Sequence, residues 1–142
     1  SGAISTGRSI LAAQAMGADL AYIGSPFIAT DEANADAAYK QMIVDSDAED
    51  IVYSSLFTGV HGNYLKPSIV RAGMDPDNLE TADATSMNFG EGRSKPKSWK
   101  EIWGAGQGIG SVTAVQPARA LIDRLAQEYG AAKAEMRELI NG

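Results

Sequence analysis

The sequence predicts an α/β fold with parallel strands, and three observations carry the prediction. A glycine corner at Gly2-Ala3 opens a helix-forming run, GRSILAAQAM, over residues 7–16. That run stops at Gly17 and leads into a short, mostly apolar segment at 18–24, ADLAYIG. A second glycine corner, Gly24-Ser25, closes the segment. The end of one strand, a helix and a second strand in that order form the trailing part of a βαβ unit, because parallel neighbours need a crossover between them.

Each element has its own reason. The run at 7–16 is rich in helix formers, and Gly17 supplies the residue type that most often ends a helix. Ala12, Ala13 and Ala15 give that helix a small face suited to close packing on a sheet. The run at 18–24 lacks a clean alternation of apolar and polar residues, as expected of a strand buried on both faces. Ser25 and Pro26 read as the N-cap and first residue of a helical turn, SPFIA. Thr30 is expected to cap a second helix with Asp31 and Glu32 in its first turn, where the helix end is positive. Ala35, Ala38, Tyr39, Met42 and Ile43 supply its apolar stripe.

Beyond Asp45 the pattern weakens. An apolar stretch and a glycine-punctuated turn lead to a short helix ending at Gly73, and a turn-rich polar excursion follows from Met74 to Trp99. A last helix is expected to start near Thr113 with Pro117 in its first turn and Leu121, Ile122, Leu125 and Tyr129 on one face. Gly130 is expected to interrupt or bend it, since glycine in a helix interior costs about 1 kcal/mol relative to alanine. Trp99 and Trp103, four residues apart, fit packing of a helix onto the core. The chain thus divides into strand–helix units with glycine loops at 1–44, a loop-rich and helical excursion at 45–112 and a C-terminal helix at 113–142, together one incomplete domain.

Composition narrows the function classes. The 142 residues suit one globular domain, and a net charge of −6 argues against a broad nucleic-acid or anionic-membrane footprint. With no cysteine there is no disulfide framework, thiolate metal site or cysteine nucleophile. One histidine makes no metal constellation, and the carboxylates of DEANAD and DSDAED read as solvated helix ends. No stretch is long and apolar enough for a membrane span, and the first residues lack the order of a signal peptide, so a soluble, cytoplasmic protein is the expectation.

The two glycine corners carry the candidate chemistry. Small residues let a ligand approach the backbone, and Ser25 opens a helical turn with unsatisfied N–H groups, so together they suit an anion. In a (β/α)8 barrel the phosphate site is built from the loops after strands 7 and 8 and a short extra helix, the order present here. The same glycines also suit tight turns with no ligand, and the spacing alone leaves both readings open.

The residues Ser1-Gly2-Ala3, Gly7-Arg8, Gly17-Ala18-Asp19, Gly24-Ser25, Phe27, Ala29-Thr30 and Glu32 together resemble the FMN-binding barrels of the nitronate monooxygenase family, formerly called 2-nitropropane dioxygenases. LFTGVHGNYLKPSIVRAGMDP and WGAGQGIG look like segments of that family's C-terminal region, so the resemblance covers nearly the whole chain. Ala3 stands where the family has a second glycine, and Ser25 where it has threonine. The resemblance implies the C-terminal part of a (β/α)8 TIM barrel, comprising the end of strand 7, helix 7 and strand 8, followed by a mostly helical C-terminal region. It implies that Gly2, Ala3, Gly24 and Ser25 hold the FMN phosphate, with Gly106 and Gln107 near the flavin or the mouth of the site. It also implies oxidation of an alkyl nitronate with O2 to a carbonyl compound and nitrite, assisted by a histidine expected upstream of residue 1.

His61 is not in the motif of that catalytic histidine. It reads as a loop histidine or, with Asn63 and Tyr64, as a lining of the substrate mouth. Two alternatives stand beside this reading: a flavin-dependent enoyl-ACP reductase, which shares the phosphate site, and a non-catalytic chain that binds a phosphate-bearing ligand or self-associates. An exposed parallel-strand edge would favour a homo-oligomer or a complementary N-terminal barrel portion as partner.

Overall fold

The computed structural model describes residues 2–79 and 101–142. Within them helix α1 spans Gly7–Ala15, α2 Ser25–Ile28, α3 Ala37–Val44 and α4 Lys66–Arg71, and α5 spans Ala118–Asn141. Strands β1, Ile51–Ser54, and β2, Gly62–Leu65, pair antiparallel with Ile51 opposite Leu65 and Ser54 opposite Gly62. Short 3-10 turns cover Ala48–Asp50 and Gln107–Ser111. The excursion predicted from Met74 to Trp99 falls largely outside the described residues, as does Trp99 itself.

Helix α1 starts where the chain can satisfy its own first turn. Thr6 Oγ1 accepts the Ser9 N–H at 3.1 Å, and Ser9 Oγ accepts the Thr6 N–H at 3.1 Å, a reciprocal capping box. The helix stops as predicted: Met16 is the C-cap, and Gly17 takes a φ of +94° that a side chain would strain.

Helix α1 lies along α5, and glycine sets their separation. A Cβ on Gly7 would fall 2.2 Å from the Tyr129 backbone nitrogen and 2.4 Å from the Leu125 carbonyl oxygen. Polar groups lock the approach: the Gly7 N–H donates to the Glu128 carboxylate at 2.7 Å, Tyr129 Oη donates to Gln14 Oε1 at 2.5 Å, and Arg8 pairs with Glu135. Ala13, Leu121, Leu125 and Ala132 are buried in this contact, whereas Ala12 and Ala15 are exposed, so one residue of the expected small face is used, and it packs on a helix instead of a sheet.

The main core gathers Ala29, Ile43, Leu65, Trp103, Ala105, Ile109 and Val112. Trp103 anchors it. Its ring stacks on Tyr39 at 4.8 Å between centroids, and the Arg71 guanidinium sits 3.7 Å from the ring centroid. The fully buried Ser68 joins two elements through one hydroxyl, donating to the Leu65 carbonyl at 2.7 Å and accepting the Trp103 N–H at 3.0 Å. Tyr39 Oη donates to the Gly104 carbonyl, and burial pushes the phenol above its ordinary value of 10, so it stays a neutral donor.

Several expectations are corrected. Residues 18–24 form no strand, and Leu20 and Tyr22 are 90% and 76% exposed rather than buried. A strand exists only in a ladder, and no described segment pairs with this one. Parallel order is limited to one bridge between Thr30 and Gln116, so the described sheet is an antiparallel hairpin instead of a two-stranded parallel edge. Ser25 is the first residue of α2 and Gly24 its cap. Thr30 starts no helix: its hydroxyl donates back to the Phe27 carbonyl at 2.8 Å, and Asp36 caps α3 through the Ala38 N–H. The last helix begins at Ala118, after Pro117, and passes through Gly130 without a break.

Glu32 likewise serves another helix than the one expected. Its carboxylate accepts the N–H of Ala118, the first residue of α5, at 2.8 Å. That bond foremost, then Glu32's own N–H and the nearby Lys40 ammonium, hold its carboxyl below the usual 4.5.

Two predictions follow from these contacts. Gly7→Ala is expected to cost about 1–3 kcal/mol through overpacking, whereas Gly130→Ala, with nothing within 4 Å of the new methyl, should gain about 0.5–1 kcal/mol from helix propensity; urea denaturation of both variants checks the pair. Because the folded pKa of Glu32 is depressed, its charge stabilises the fold above the ordinary pKa, and this contribution is lost as pH falls through the folded value. The melting temperature of Glu32→Gln should therefore lie below that of the unmodified chain at neutral pH, with the gap closing below about pH 4.5.

Candidate functional site

Two distant segments meet at the first glycine corner. The Gly108 N–H donates to the Gly2 carbonyl at 3.1 Å, and Ser111 Oγ donates to the Ser5 carbonyl at 3.4 Å. The approach is backbone on backbone: a Cβ on Gly106 would lie 2.2 Å from the Gly2 carbonyl oxygen, and one on Gly108 would lie 2.9 Å from that of Ala3. Gly106 and Gly108 of GAGQGIG are thus required by packing, a role no local pattern shows.

The second corner closes on the same segment. The Gly106 N–H donates to Ser25 Oγ at 2.7 Å. Ser25 makes no cap bond to its own helix, and among the described residues its hydroxyl hydrogen donates to no group. Between the corners lies a pocket of about 150 Å³ lined by Gly2, Ile4, Ser5, Tyr22, Gly24, Ser25, Pro26, Gly106 and Gly108. Four of the predicted cofactor residues, Gly2, Gly24, Ser25 and Gly106, therefore share one pocket. Ala3 and Gln107 flank it without lining it, and Gln107 is exposed. Gly2 has a φ of +89°, whereas Ala3 does not have a positive φ, so alanine at the family's glycine position is unstrained.

The pocket's chemistry is that of fixed dipoles. Its lining holds no lysine, arginine or carboxylate; beside the glycine backbone stand the hydroxyl-bearing residues Ser5, Ser25 and Tyr22 and the apolar Ile4 and Pro26. The volume is below the roughly 300–1,000 Å³ that encloses a drug-sized ligand, so the pocket suits one small polar end of a larger molecule. A phosphate end fits this donor set, since N–H groups and a hydroxyl supply hydrogen bonds and the missing Cβ atoms allow close approach. Reasoning from sequence missed Tyr22, which was assigned to a buried strand face, and Gly108, whose spacing from Gly106 was the available signal.

The mouth candidates lie apart. His61 is exposed and stacks on Tyr53 at 4.8 Å, in a separate, more polar pocket of about 220 Å³ with Ser54, Ser55 and Asp77. The two pockets share no lining residue. Asn63 sits on β2 opposite Tyr53. Tyr64 Oη lies 3.3 Å from Thr58 Oγ1, its ring meets Phe57 edge-on, and its backbone bridges to Gly104. Among the described residues there is no group of three or more His, Asp or Glu capable of holding a metal, and no described helix is long and apolar enough to cross a membrane.

Comparison with known proteins agrees with the glycine pattern. The family model for nitronate monooxygenase matches residues 1–128, and the chain belongs to that family. A probable nitronate monooxygenase of Staphylococcus haemolyticus (strain JCSC1435) is 25% identical over 133 residues, covering 89% of this chain and 37% of the relative. Among solved structures, FabK from Thermotoga maritima shares the fold with a TM-score of 0.67 at 20% identity, over 97% of this chain and 45% of that one. A nitroalkane oxidase from Streptomyces ansochromogenes matches with a TM-score of 0.67 at 26% identity, over 95% of this chain and 40% of that one. The chain spans less than half the length of these relatives. By family it is a nitronate monooxygenase-like chain.

The packing makes a direct prediction. Gly106→Ala must separate the 104–111 segment from Gly2, and is expected to destabilise by about 1–3 kcal/mol. Gly110→Ala, whose methyl would meet Asp47 at an ordinary 3.6 Å, should stay within about 0.5 kcal/mol of the unmodified chain. Chemical denaturation of the two variants side by side checks the contrast.

Proposed function

We propose that this chain is the C-terminal part of an FMN-dependent (β/α)8 barrel that oxidises alkyl nitronates with O2 to a carbonyl compound and nitrite, and that the glycine pocket is the phosphate end of its FMN site. The observation that carries the reading is the convergence of Gly2, Gly24, Ser25 and Gly106 on one small pocket free of charged side chains. The N–H groups of Gly2, Ala3, Gly24 and Ser25 and the Ser25 hydroxyl would hold the phosphate. FMN, when bound, supplies the two-electron redox chemistry. Gln107, exposed beside the pocket, would face the flavin rather than its phosphate.

The remainder of the barrel is the proposed partner. Residues 18–24 form no regular element and leave Leu20 and Tyr22 in solvent, a surface that further strands of the barrel would cover. His61, Asn63 and Tyr64 are proposed for the rim of the substrate mouth, carried there by the β1–β2 hairpin. The flavin-dependent enoyl reductase stands as the second reading: FabK matches with the same TM-score, although at 20% identity against 26% for the nitroalkane oxidase.

Titration of the purified chain with FMN and with riboflavin tests the phosphate site. FMN is expected to bind at least about tenfold more tightly, a difference of about 1.4 kcal/mol, and equal affinity for the two flavins would remove the assignment. Anaerobic bleaching of the flavin by an alkyl nitronate rather than by a reduced nicotinamide separates the two enzyme readings.

A further inference from the structure

We infer that Ser25 is a positioning residue that couples an anion held in the glycine pocket to the 104–111 segment, so that filling the pocket tightens that segment. The inference rests on the phosphate reading above and goes beyond it, because it assigns Ser25 a second task.

The geometry is that of a relay. Ser25 Oγ accepts the N–H of Gly106, 81 positions away, at 2.7 Å. Ser25 also lines the pocket, and its hydroxyl hydrogen is uncommitted among the described residues. A hydroxyl can donate and accept at once. When it donates to an anion, the charge-assisted bond raises the electron density on Oγ and strengthens it as an acceptor for Gly106, by about 10–30% in the usual reckoning of cooperative chains.

A second strap runs in the same sense. The Gly2 carbonyl accepts the Gly108 N–H at 3.1 Å, and the peptide unit that carries it also carries the Ala3 N–H. No described peptide bond is cis, so that N–H points away from Gly108, opposite to the carbonyl. Ala3 borders the pocket without lining it, and an anion that reaches its N–H from there would polarise the Gly2 carbonyl toward Gly108 in the same sense as it polarises Ser25 toward Gly106. Ala105 and Ile109 pin the segment in the core, and between them Gly106 and Gly108 have no side chains, so on the pocket side the segment is held by these straps and the backbone contact. Gln107 lies between them and moves with them.

Amide hydrogen exchange and NMR on the whole chain, with inorganic phosphate as the probe, test the coupling. In the unmodified chain, saturating phosphate should slow exchange at Gly106 and Gly108 about fivefold, the low end of usual coupling between sites. It should also move the Gly106 amide proton downfield, a readout that depends on no variant folding. Ser25→Thr, which keeps the hydroxyl, should retain both effects. Ser25→Ala should bind phosphate more weakly and, at phosphate concentrations that saturate the variant, should lose the response at Gly106. Phosphate that binds without altering Gly106, or that slows exchange equally in Ser25→Ala, overturns the coupling and leaves the phosphate reading standing. Failure of the unmodified chain to bind phosphate overturns both.

Discussion

Backbone meeting backbone between residues 2–5 and 104–111 is the constraint on which the rest of the structure depends. A carbonyl and an amide cannot approach as Gly2 and Gly108 do if Cβ atoms intervene, and at Gly106 and Gly108 none exist. The two sides of that contact are then held from behind. On one side Trp103, Ala105, Ile109 and Val112 are buried in the core, so the glycine segment is pinned through its apolar residues while its glycines face Gly2. On the other side α1 is fixed to α5 by Gly7, Glu128 and Tyr129. Loosening either anchor would let the corners drift apart.

The pocket that results is unusual for its surroundings. The protein carries a net charge of −6, and the proposed anion site recruits no lysine or arginine from its own lining. Oriented dipoles hold anions without a mobile cation, and their effect is local. Such a site selects by fit: a group must be small and rich in acceptors to profit from it. The more open pocket beside His61, with Asp77 and two serines, is built on another principle, that of titratable and hydroxyl side chains.

What was legible in the sequence was what local chemistry decides. The start of α1 at the Gly7 run and its stop at Gly17 follow from capping and from φ, both properties of a few adjacent residues. The convergence of the two corners was legible only through the resemblance of the whole glycine pattern to a known family, because the spacing of Gly2, Gly24 and Ser25 by itself suits tight turns equally well. Pairing was not. ADLAYIG has a strand's composition, yet a ladder is a property of two segments, and none of the described chain lies beside it. Thr30 and Asp36 are both good N-caps; Thr30 was withdrawn by its bond to Phe27 and its bridge to Gln116, which no window of sequence contains. Gly130 failed to break α5 because contacts of Leu121, Leu125 and Ala132 outweigh a propensity cost of about 1 kcal/mol. The role of GAGQGIG was hidden for the same reason, since its partner lies at the other end of the chain.

That separation has a kinetic side. Ser5 and Ser111 meet across 106 positions, so the pocket closes only after a long excursion of chain has been gathered, and closure of long loops is slow as well as entropically costly. By contact order the glycine pocket is expected to form late in folding. A ligand that fits it binds only molecules whose two ends have already met, and mass action then favours the fully assembled state over every partly folded one. The site acts in this way as a proofreader of the fold.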